Sequence, residues 1–439
     1  MSDLHDLCSF GSRPVTDAYV AQLSYYLKSG IPSTYTVEEA YNYTHDITEE
    51  ASTNTTPLHL ICTNLPEDLT EDEVAVCNHM VQILFEYGAG WSLIDANNET
   101  PGCILIRRKM NHLPIYKQIV EAGVRAELLL RKVGEFDMEV IEDTDDLNHD
   151  QFGDAVPDLV ETEGTPEDVQ KKEVANNTST EKESEAEEQP KAENEVDDAP
   201  DAPSQNQESY LSTKLEYVDN ALVTKDRKDG VMMAWETDLM RLGCDSLFKG
   251  AEIEQGEIDS EVNILNIGFG MGIIDTMINE LKPTKHYICE AHPDVLAKLK
   301  KDGWYEKPNV VILEGRWQEQ LDELLSSGDV YFNGIYYDTF SEHYHDMLDL
   351  FDYVVGLLKP HGVFSFFNGL GADRQVIYEV YKELVEIDLA NYGLKCTFKS
   401  IEVPASTLKE NNKSVWDDVK RSYWSCPVYY HPEARFIDI

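Results

Sequence analysis

Basic residues are scarce in this chain of 439 residues, since 36 lysines and arginines face 83 aspartates and glutamates, a formal charge of −47. Sequence-independent nucleic-acid binding needs cations that neutralise phosphates, so this balance argues against direct contact with nucleic acid. An acidic protein instead attracts a basic partner. The length exceeds that of one ordinary domain and predicts two or three.

Long apolar runs, cysteine pairs and an export signal are also missing. No stretch approaches the ~18 apolar residues that cross a membrane, and none of the eight cysteines forms a C-x-x-C pair suited to zinc. The start, MSDLHDLCSFG, lacks the basic and apolar segments of a secretory signal. We therefore expect free thiols, no membrane contact, no metal, and a monomer in the cytoplasm and nucleus.

The acidic residues are concentrated in one stretch. Residues 134–209 hold 26 Asp and Glu against four Lys, a local charge of −22, with few apolar residues and no periodicity. Such a stretch cannot offset its ordering entropy by burial, which predicts a disordered linker. It serves either as a spacer or as a docking tail for a basic partner.

The part before the linker, residues 1–133, has the pattern of short helical repeats. Thr56-Pro57-Leu58-His59 opens an apolar helix, and Thr100-Pro101 opens another 44 residues later. Gly30, Gly88 and Gly123 are predicted to end helices. This pattern resembles ankyrin repeats, which implies a protein-binding surface; a generic helical domain packed on the rest is the alternative.

The part after the linker, residues 210–439, alternates β-rich runs with helical ones, from VNILNIGF through KHYICEA and NGIYYDT to SYWSCPVYY. This alternation predicts an α/β fold with a mainly parallel sheet covered by helices. Seven strands that end in an antiparallel pair favour the Rossmann-like fold of S-adenosylmethionine-dependent methyltransferases over a six-stranded dinucleotide fold.

A glycine-rich loop follows the first of these strands, at Gly268-Phe269-Gly270-Met271-Gly272. Glu290 ends the next strand, 22 residues after Gly268, where a carboxylate can accept hydrogen bonds from adenosine ribose hydroxyls. A nicotinamide cofactor would favour G-x-G-x-x-G, but Ile273 stands at the sixth position. Trp317 and Gln318, after the third strand, could cover an adenine ring, although Trp317 also suits an ordinary core position.

Two carboxylates are candidates for the chemistry. Asp338 ends the fourth strand, where ligands bind in open α/β sheets. Glu236 lies in Val231–Met240, a segment that could fold back as a lid before the first strand. Two carboxylates match a planar, permanently charged guanidinium in charge and geometry.

The motifs VMMAWETDLM, ILNIGFGMG, GIYYDTF and LLKPHGVFSFFN are together similar to guanidinoacetate methyltransferase. Joined to an ankyrin-like region, they resemble the fungal protein arginine N5-methyltransferases, which methylate the internal δ nitrogen of arginine. The resemblance implies that Glu236 and Asp338 grip the guanidinium and that S-adenosylmethionine is the cofactor. The implied cofactor-binding residues are Tyr217, Met240, Gly268, Phe269, Gly270, Met271, Gly272, Ile273, Glu290, Ala291, His292, Trp317, Gln318 and Asp338.

The sequence departs from the small-molecule enzyme at two places. Asn266 replaces an acid, so a carboxylate contact to the cofactor's amino group is lost or replaced, and Met233-Ala234 replaces a charged pair near the pocket mouth. The His343-Tyr344-His345 cluster suggests a metal site, but methyl transfer needs none. A methyltransferase for a small guanidino metabolite and a non-catalytic adaptor for basic proteins stay as alternatives to a protein arginine methyltransferase.

Overall fold

The computed structural model describes residues 2–48, 53–145, 203–204, 206–252, 257–408, 414–417 and 419–437, with backbone only from 135 to 145. The described residues before Arg131 and after residue 202 form one compact unit, which excludes the segment from Arg131 to Asp145. Most of the predicted acidic linker, 134–209, lies outside the described residues. At its ends, a helix continues to Asp145 and another begins at Gln207.

All of the regular secondary structure described in the N-terminal region is α-helical. Helix α1 packs against α2 and α4 packs against α5, and successive helices stack, α1 on α4, α4 on α6 and α2 on α5. None of the helices in the described ranges has the length and apolar character to cross a membrane. The bounds are α1 Asp3–Cys8, α2 Asp17–Lys28, α3 Val37–Thr44, α4 Pro57–Asn64, α5 Glu71–Glu86, α6 Pro101–Arg107 and α7 Pro114–Asp145.

Histidines fix the first helices of two pairs to the loops that follow. The His59 Nδ1 atom lies 2.8 Å from Thr56 Oγ1 at the start of α4, and Nε2 lies 3.0 Å from the Leu93 carbonyl oxygen. His5 repeats this arrangement in α1, with Nδ1 3.2 Å from Ser2 Oγ and Nε2 2.8 Å from the Tyr35 carbonyl oxygen. The pair of α1 and α2 therefore repeats the arrangement of α4 and α5, with Ser2 as the N-cap of α1.

The C-terminal region contains the predicted seven-stranded sheet. Its order is β6-β5-β4-β7-β8-β10-β9, with β10 antiparallel to both neighbours and the remaining neighbours parallel. This is the Rossmann-like methyltransferase fold expected from the sequence. The strands are β4 Asn263–Ile267, β5 Lys285–Glu290, β6 Val310–Glu314, β7 Phe332–Tyr337, β8 Leu358–Phe366, β9 Leu394–Glu402 and β10 Val428–Phe436.

A second, antiparallel sheet precedes this one and was not predicted. It consists of β1 Leu215–Val218, β2 Ala221–Thr224 and β3 Gly230–Met233. The last strand also begins later than SYWSCPVYY suggested, because the residues before Val428 are irregular. The helices of this region are α8 Gln207–Ser212, α9 Thr237–Lys249, α10 Ile273–Glu280, α11 Pro293–Lys301, α12 Trp317–Ser327, α13 Tyr344–Leu357 and α14 Gln375–Asn391.

Helix α14 joins the two regions through a shared core. Its Val376, Val380 and Leu384 are fully buried in the same apolar cluster as the N-terminal helices. Gly123 allows this contact, since a Cβ atom there would lie 2.6 Å from Val380 Cγ2. The prediction that Gly123 ends a helix is therefore wrong: it lies inside α7, whereas Gly30 and Gly88 follow α2 and α5 with φ of +92° and +84°.

All eight cysteines are free, and seven of them are buried. The expectation of free thiols is thus confirmed.

Replacement of Gly123 by alanine tests the close approach of α7 to α14. We expect Gly123→Ala to be less stable than Gly134→Ala by about 1–3 kcal/mol, the usual cost of overpacking a core. Gly134 lies in the same helix with no heavy atom within 4 Å of an added Cβ, so it reports helix propensity alone. Urea denaturation of both variants measures the difference; equal stabilities would contradict the packing argument.

Candidate functional site

The glycine loop between β4 and α10 is shaped by one close backbone contact. Gly268 has φ of +91°, and its amide donates to the Cys289 carbonyl oxygen at 2.8 Å. A Cβ atom on Gly268 would lie 1.9 Å from the carbonyl oxygen of Asp338. Only glycine fits here, and this fit brings the loop against the end of β7.

Glu290, at the end of β5, faces the same loop. Its Oε2 accepts a hydrogen bond from the Phe269 amide at 2.9 Å, and Oε1 accepts from the Ala291 and His292 amides at 2.8 and 2.7 Å. Burial raises the pKa of Glu290, and these amide bonds oppose that shift. The loop and the carboxylate therefore form one preorganised cradle.

The cradle opens into a pocket at the carboxyl ends of the strands. Six of the predicted cofactor-binding residues line it: Gly268, Gly270, Glu290, Ala291, Trp317 and Asp338. An acid positioned for ribose hydroxyls, a loop free of side chains and an aromatic wall fit S-adenosylmethionine, whose adenosine these groups would hold.

The other predicted cofactor residues do not line this pocket. Tyr217 supports the loop from outside, since its hydroxyl donates to the Gly270 carbonyl oxygen at 3.0 Å. Met240 and Phe269 are buried in the core beneath. Met271, Gly272, Ile273 and Gln318 are likewise absent from the pocket wall.

His292 has a structural role that the sequence did not suggest. Its Nδ1 accepts from the Asp294 amide at 3.1 Å, and Nε2 lies 3.0 Å from the Thr213 carbonyl oxygen. The ring thus ties the start of α11 to the end of α8.

Glu342 is a site residue that the sequence reasoning missed. It lines the pocket, and its Oε1 accepts from Trp317 Nε1 at 2.8 Å and from Gln207 Nε2 at 2.6 Å. Its Oε2 accepts from the hydroxyls of Tyr337 and Thr339. The signal for it was an acid four residues beyond Asp338, in the loop that follows the strand.

Glu236 lies on a 3-10 turn between β3 and α9 and is 2% exposed. Its Oε1 accepts from the Met233 amide at 2.9 Å and from the Tyr423 hydroxyl. Burial, together with the charge of Asp338, raises the pKa of Glu236 from 4.5 to about 8. The segment predicted as a lid is instead part of the fold, since β3 pairs with β2 and α9 packs on β7 and β8.

Asp338 directly follows β7, and its amide donates to the Ile267 carbonyl oxygen at 2.9 Å. Its side-chain Oδ2 is buried without a hydrogen-bond partner among the described residues. Burial, with a smaller contribution from the charge of Asp275, raises the pKa of Asp338 to about 7. Asp338 and Glu236 both line a second cavity, which meets the cofactor pocket at Asp338.

Asn266, where the small-molecule enzyme has an acid, supports the glycine loop from behind. Its Nδ2 donates to the Gly268 carbonyl oxygen and to Asp275 Oδ2, both at 2.8 Å. Asp275 Oδ1 in turn lies 3.0 Å from His286 Nε2.

No group of three potential metal ligands exists in the part of the chain that the structure describes. His343 and His345 lie at the start of α13, and His345 Nδ1 is 3.6 Å from Asp349 Oδ2.

Gly268→Ala tests the loop geometry. The added methyl group would collide with the backbone of Asp338, so we expect a loss of S-adenosylhomocysteine affinity of at least tenfold by calorimetry, with a lower melting temperature. Gly328→Ala is the matched control, since Gly328 also has positive φ (+64°) but open space around its Cβ position. Equal affinities in the two variants would disprove the role of the contact.

A family model described as guanidinoacetate N-methyltransferase matches residues 208–411. Relatives named protein arginine N-methyltransferase 2 match the chain over its length. The Debaryomyces hansenii protein is 68% identical over the whole of both chains. Those of Saccharomyces cerevisiae and Yarrowia lipolytica are 49% and 41% identical, and each alignment covers 99% of this chain and at least 97% of the relative.

These matches agree with a methyltransferase that uses S-adenosylmethionine, the cofactor that the cradle of Gly268, Gly270 and Glu290 fits. They also agree with a second cavity whose two buried carboxylates suit a guanidinium. The chain belongs to the protein arginine N-methyltransferase 2 family.

Proposed function

We propose that this methyltransferase modifies the δ (N5) nitrogen of arginine residues in proteins. The observation that supports this most directly is the pair of carboxylates, Glu236 and Asp338, lining a cavity that is continuous with the cofactor pocket. Docking of the substrate protein by the N-terminal helical region stays a prediction.

The electrostatics of the pair favour a cationic acceptor. Burial raises the pKa values of Glu236 and Asp338 to about 8 and about 7, so the ionised form of each carboxyl is disfavoured in the ligand-free site. A guanidinium remains charged at any relevant pH and offers five N–H donors in a plane. Its single positive charge would offset part of the repulsion between the two carboxylates and lower both pKa values.

The same carboxylates can activate the nitrogen. S-adenosylmethionine, when bound, supplies an electrophilic methyl group on a sulfonium. Guanidinium nitrogens are weak nucleophiles because their lone pairs are delocalised. Hydrogen bonds from two nitrogens to Glu236 and Asp338 would hold the positive charge there and free the lone pair of the third. The unpartnered Asp338 Oδ2 is available to accept the proton released by methylation.

The cavity lining argues for an arginine residue over a small guanidino acid. Besides Glu236 and Asp338 it contains Glu342 and His343, and none of the described lysines or arginines lines it. The carboxylate of guanidinoacetate would therefore meet acids and find no strong cation. An arginine within a peptide has neutral amides in place of that carboxylate.

Choice of the δ nitrogen rests on the resemblance to arginine N5-methyltransferases. Its physical support is that two carboxylates can engage the two terminal nitrogens, which leaves the internal nitrogen for transfer.

An acceptor comparison tests the proposal. We expect N-acetyl-arginine-N-methylamide to be methylated with kcat/KM at least tenfold above that of guanidinoacetate, because only the latter brings an anion. The lysine analogue is the control and should not react. Amino-acid analysis after hydrolysis should give δ-methylarginine; ω-methylarginine would refute the δ assignment, and preference for guanidinoacetate would refute the protein substrate.

Neutral replacements separate chemistry from folding. We expect Glu236→Gln and Asp338→Asn to lower kcat by about 10²–10⁴-fold, the range of general acid–base contributions, while remaining folded. Asp329→Asn, at an exposed acid before β7, should retain wild-type activity.

The pH dependence of stability supplies a second readout. Because the folded-state pKa of Glu236 is raised from 4.5 to about 8, its stabilising protonation is complete below about pH 4 and is lost as pH rises through 8. The melting temperature of Glu236→Gln should therefore increase relative to wild type between pH 5 and 9. Full activity, or no pH-dependent gain in stability, would contradict the assignment.

A further inference from the structure

The connection between β9 and β10 contributes a side chain to the second cavity, the one lined by Glu236 and Asp338, which we call the acceptor cavity. Tyr423 lines that cavity together with Glu236 and Asp338. It lies 187 residues from Glu236 in sequence and outside residues 208–411, the range matched by the guanidinoacetate methyltransferase family model. Neither the motifs nor that family model therefore assigns it a role.

Its hydroxyl contacts one particular oxygen. Tyr423 donates to Glu236 Oε1, and the Met233 amide donates to the same atom at 2.9 Å. No described residue donates to Glu236 Oε2. One oxygen of the carboxylate is thus committed to the protein, and the other is left for a ligand.

The Tyr423 ring is held from several sides. The Trp416 ring lies 4.8 Å away, nearly perpendicular, and the Trp235 ring lies 6.4 Å away at an angle of 28°. A Cβ atom on Gly230 would lie 3.2 Å from the edge of the Tyr423 ring, so β3 passes close beside it. Two residues after Tyr423, the Ser425 amide donates to the Ala372 carbonyl oxygen at 2.8 Å. These contacts therefore hold the Tyr423 ring, and with it the hydroxyl, in one position.

We infer that Tyr423 is a positioning residue of the acceptor site, which holds Glu236 by Oε1 so that Oε2 meets the substrate guanidinium. This inference rests on the proposed function for the identity of the acceptor. The orientation of Glu236 by Tyr423 can be tested without it.

The charge environment makes the effect measurable. The ionisable groups that act on Glu236 are Asp338 beyond β7, Tyr336 on β7, Tyr429 on β10 and Tyr423 itself. Among them Tyr423 donates the side-chain hydrogen bond that lowers the pKa of Glu236, whereas the charge of Asp338 raises it. Loss of the hydroxyl should therefore favour the protonated carboxyl, which cannot bind a guanidinium as an anion.

Tyr423→Phe removes the hydroxyl and keeps the ring. A hydrogen bond to a charged group lost from Glu236 should move the acidic limb of the kcat/KM profile for N-acetyl-arginine-N-methylamide up by about one pH unit. Activity should recover towards wild type at higher pH, and S-adenosylhomocysteine affinity should not change. Tyr305→Phe is the matched control, since it removes another tyrosine–glutamate hydrogen bond, to Glu314 Oε1 at 2.8 Å, on the surface of the same domain.

A stability measurement keeps the test independent of the acceptor. The pH at which stability falls through titration of Glu236 should rise in Tyr423→Phe, and this shift should vanish in the Glu236→Gln background. An unchanged stability profile, or equal shifts with and without Glu236, would overturn the inference. A loss of activity uniform across pH would also overturn it, as it would indicate a merely structural role. If Tyr423→Phe shows the stability shift but the wild-type enzyme does not methylate the capped arginine, the proposed acceptor fails while the positioning role stands.

Discussion

The burial of two like charges around one cavity is the constraint on which the rest of this site depends. Glu236 and Asp338 each lose hydration, and the charge of Asp338 further raises the pKa of Glu236. In the absence of a cation this arrangement is unfavourable, and the surrounding fold must hold it in place. Under the proposed function, a guanidinium bound between them would offset part of this penalty, so that the empty site favours binding of a cation.

Several parts of the fold share the work of holding this pair. Asp338 is fixed by its position after a central strand, where its amide bonds to Ile267 and its carbonyl oxygen abuts Gly268. Glu236 is fixed by the turn that follows β3 and by Tyr423 from the far end of the chain. The glycine loop thus serves two purposes. The close contact between Gly268 and the backbone of Asp338 shapes the cofactor cradle, and it also fixes the position of Asp338 at the end of β7.

The sequence allowed prediction of the features that depend on local chain geometry. Glycines after a strand and acids at strand ends indicated Gly268, Glu290 and Asp338, because the carboxyl ends of parallel strands meet at one edge of the sheet. Contacts between distant segments were not predictable in this way. Tyr423 stands in an irregular stretch that was interpreted as strand, and its partner Glu236 precedes the sheet. Gly123 has the local pattern of a helix end, but tertiary packing against Val380 decides its conformation.

The shared core at α14 changes how the N-terminal helices relate to the chemistry. Arg374 precedes α14, and its Nη2 donates a hydrogen bond of 3.2 Å to Asn98 Oδ1 in the N-terminal region. The loop before it lines the acceptor cavity at Gly369 and Leu370, and its Ala372 carbonyl oxygen accepts from Ser425, two residues beyond Tyr423. Since Val376, Val380 and Leu384 of α14 are buried in the same core as the N-terminal helices, those helices support the segment that hydrogen-bonds to the stretch carrying Tyr423. Through α14, the helical region therefore supports the loop at Gly369 and Leu370 that lines the second cavity, and it is more than an appendage to the methyltransferase fold.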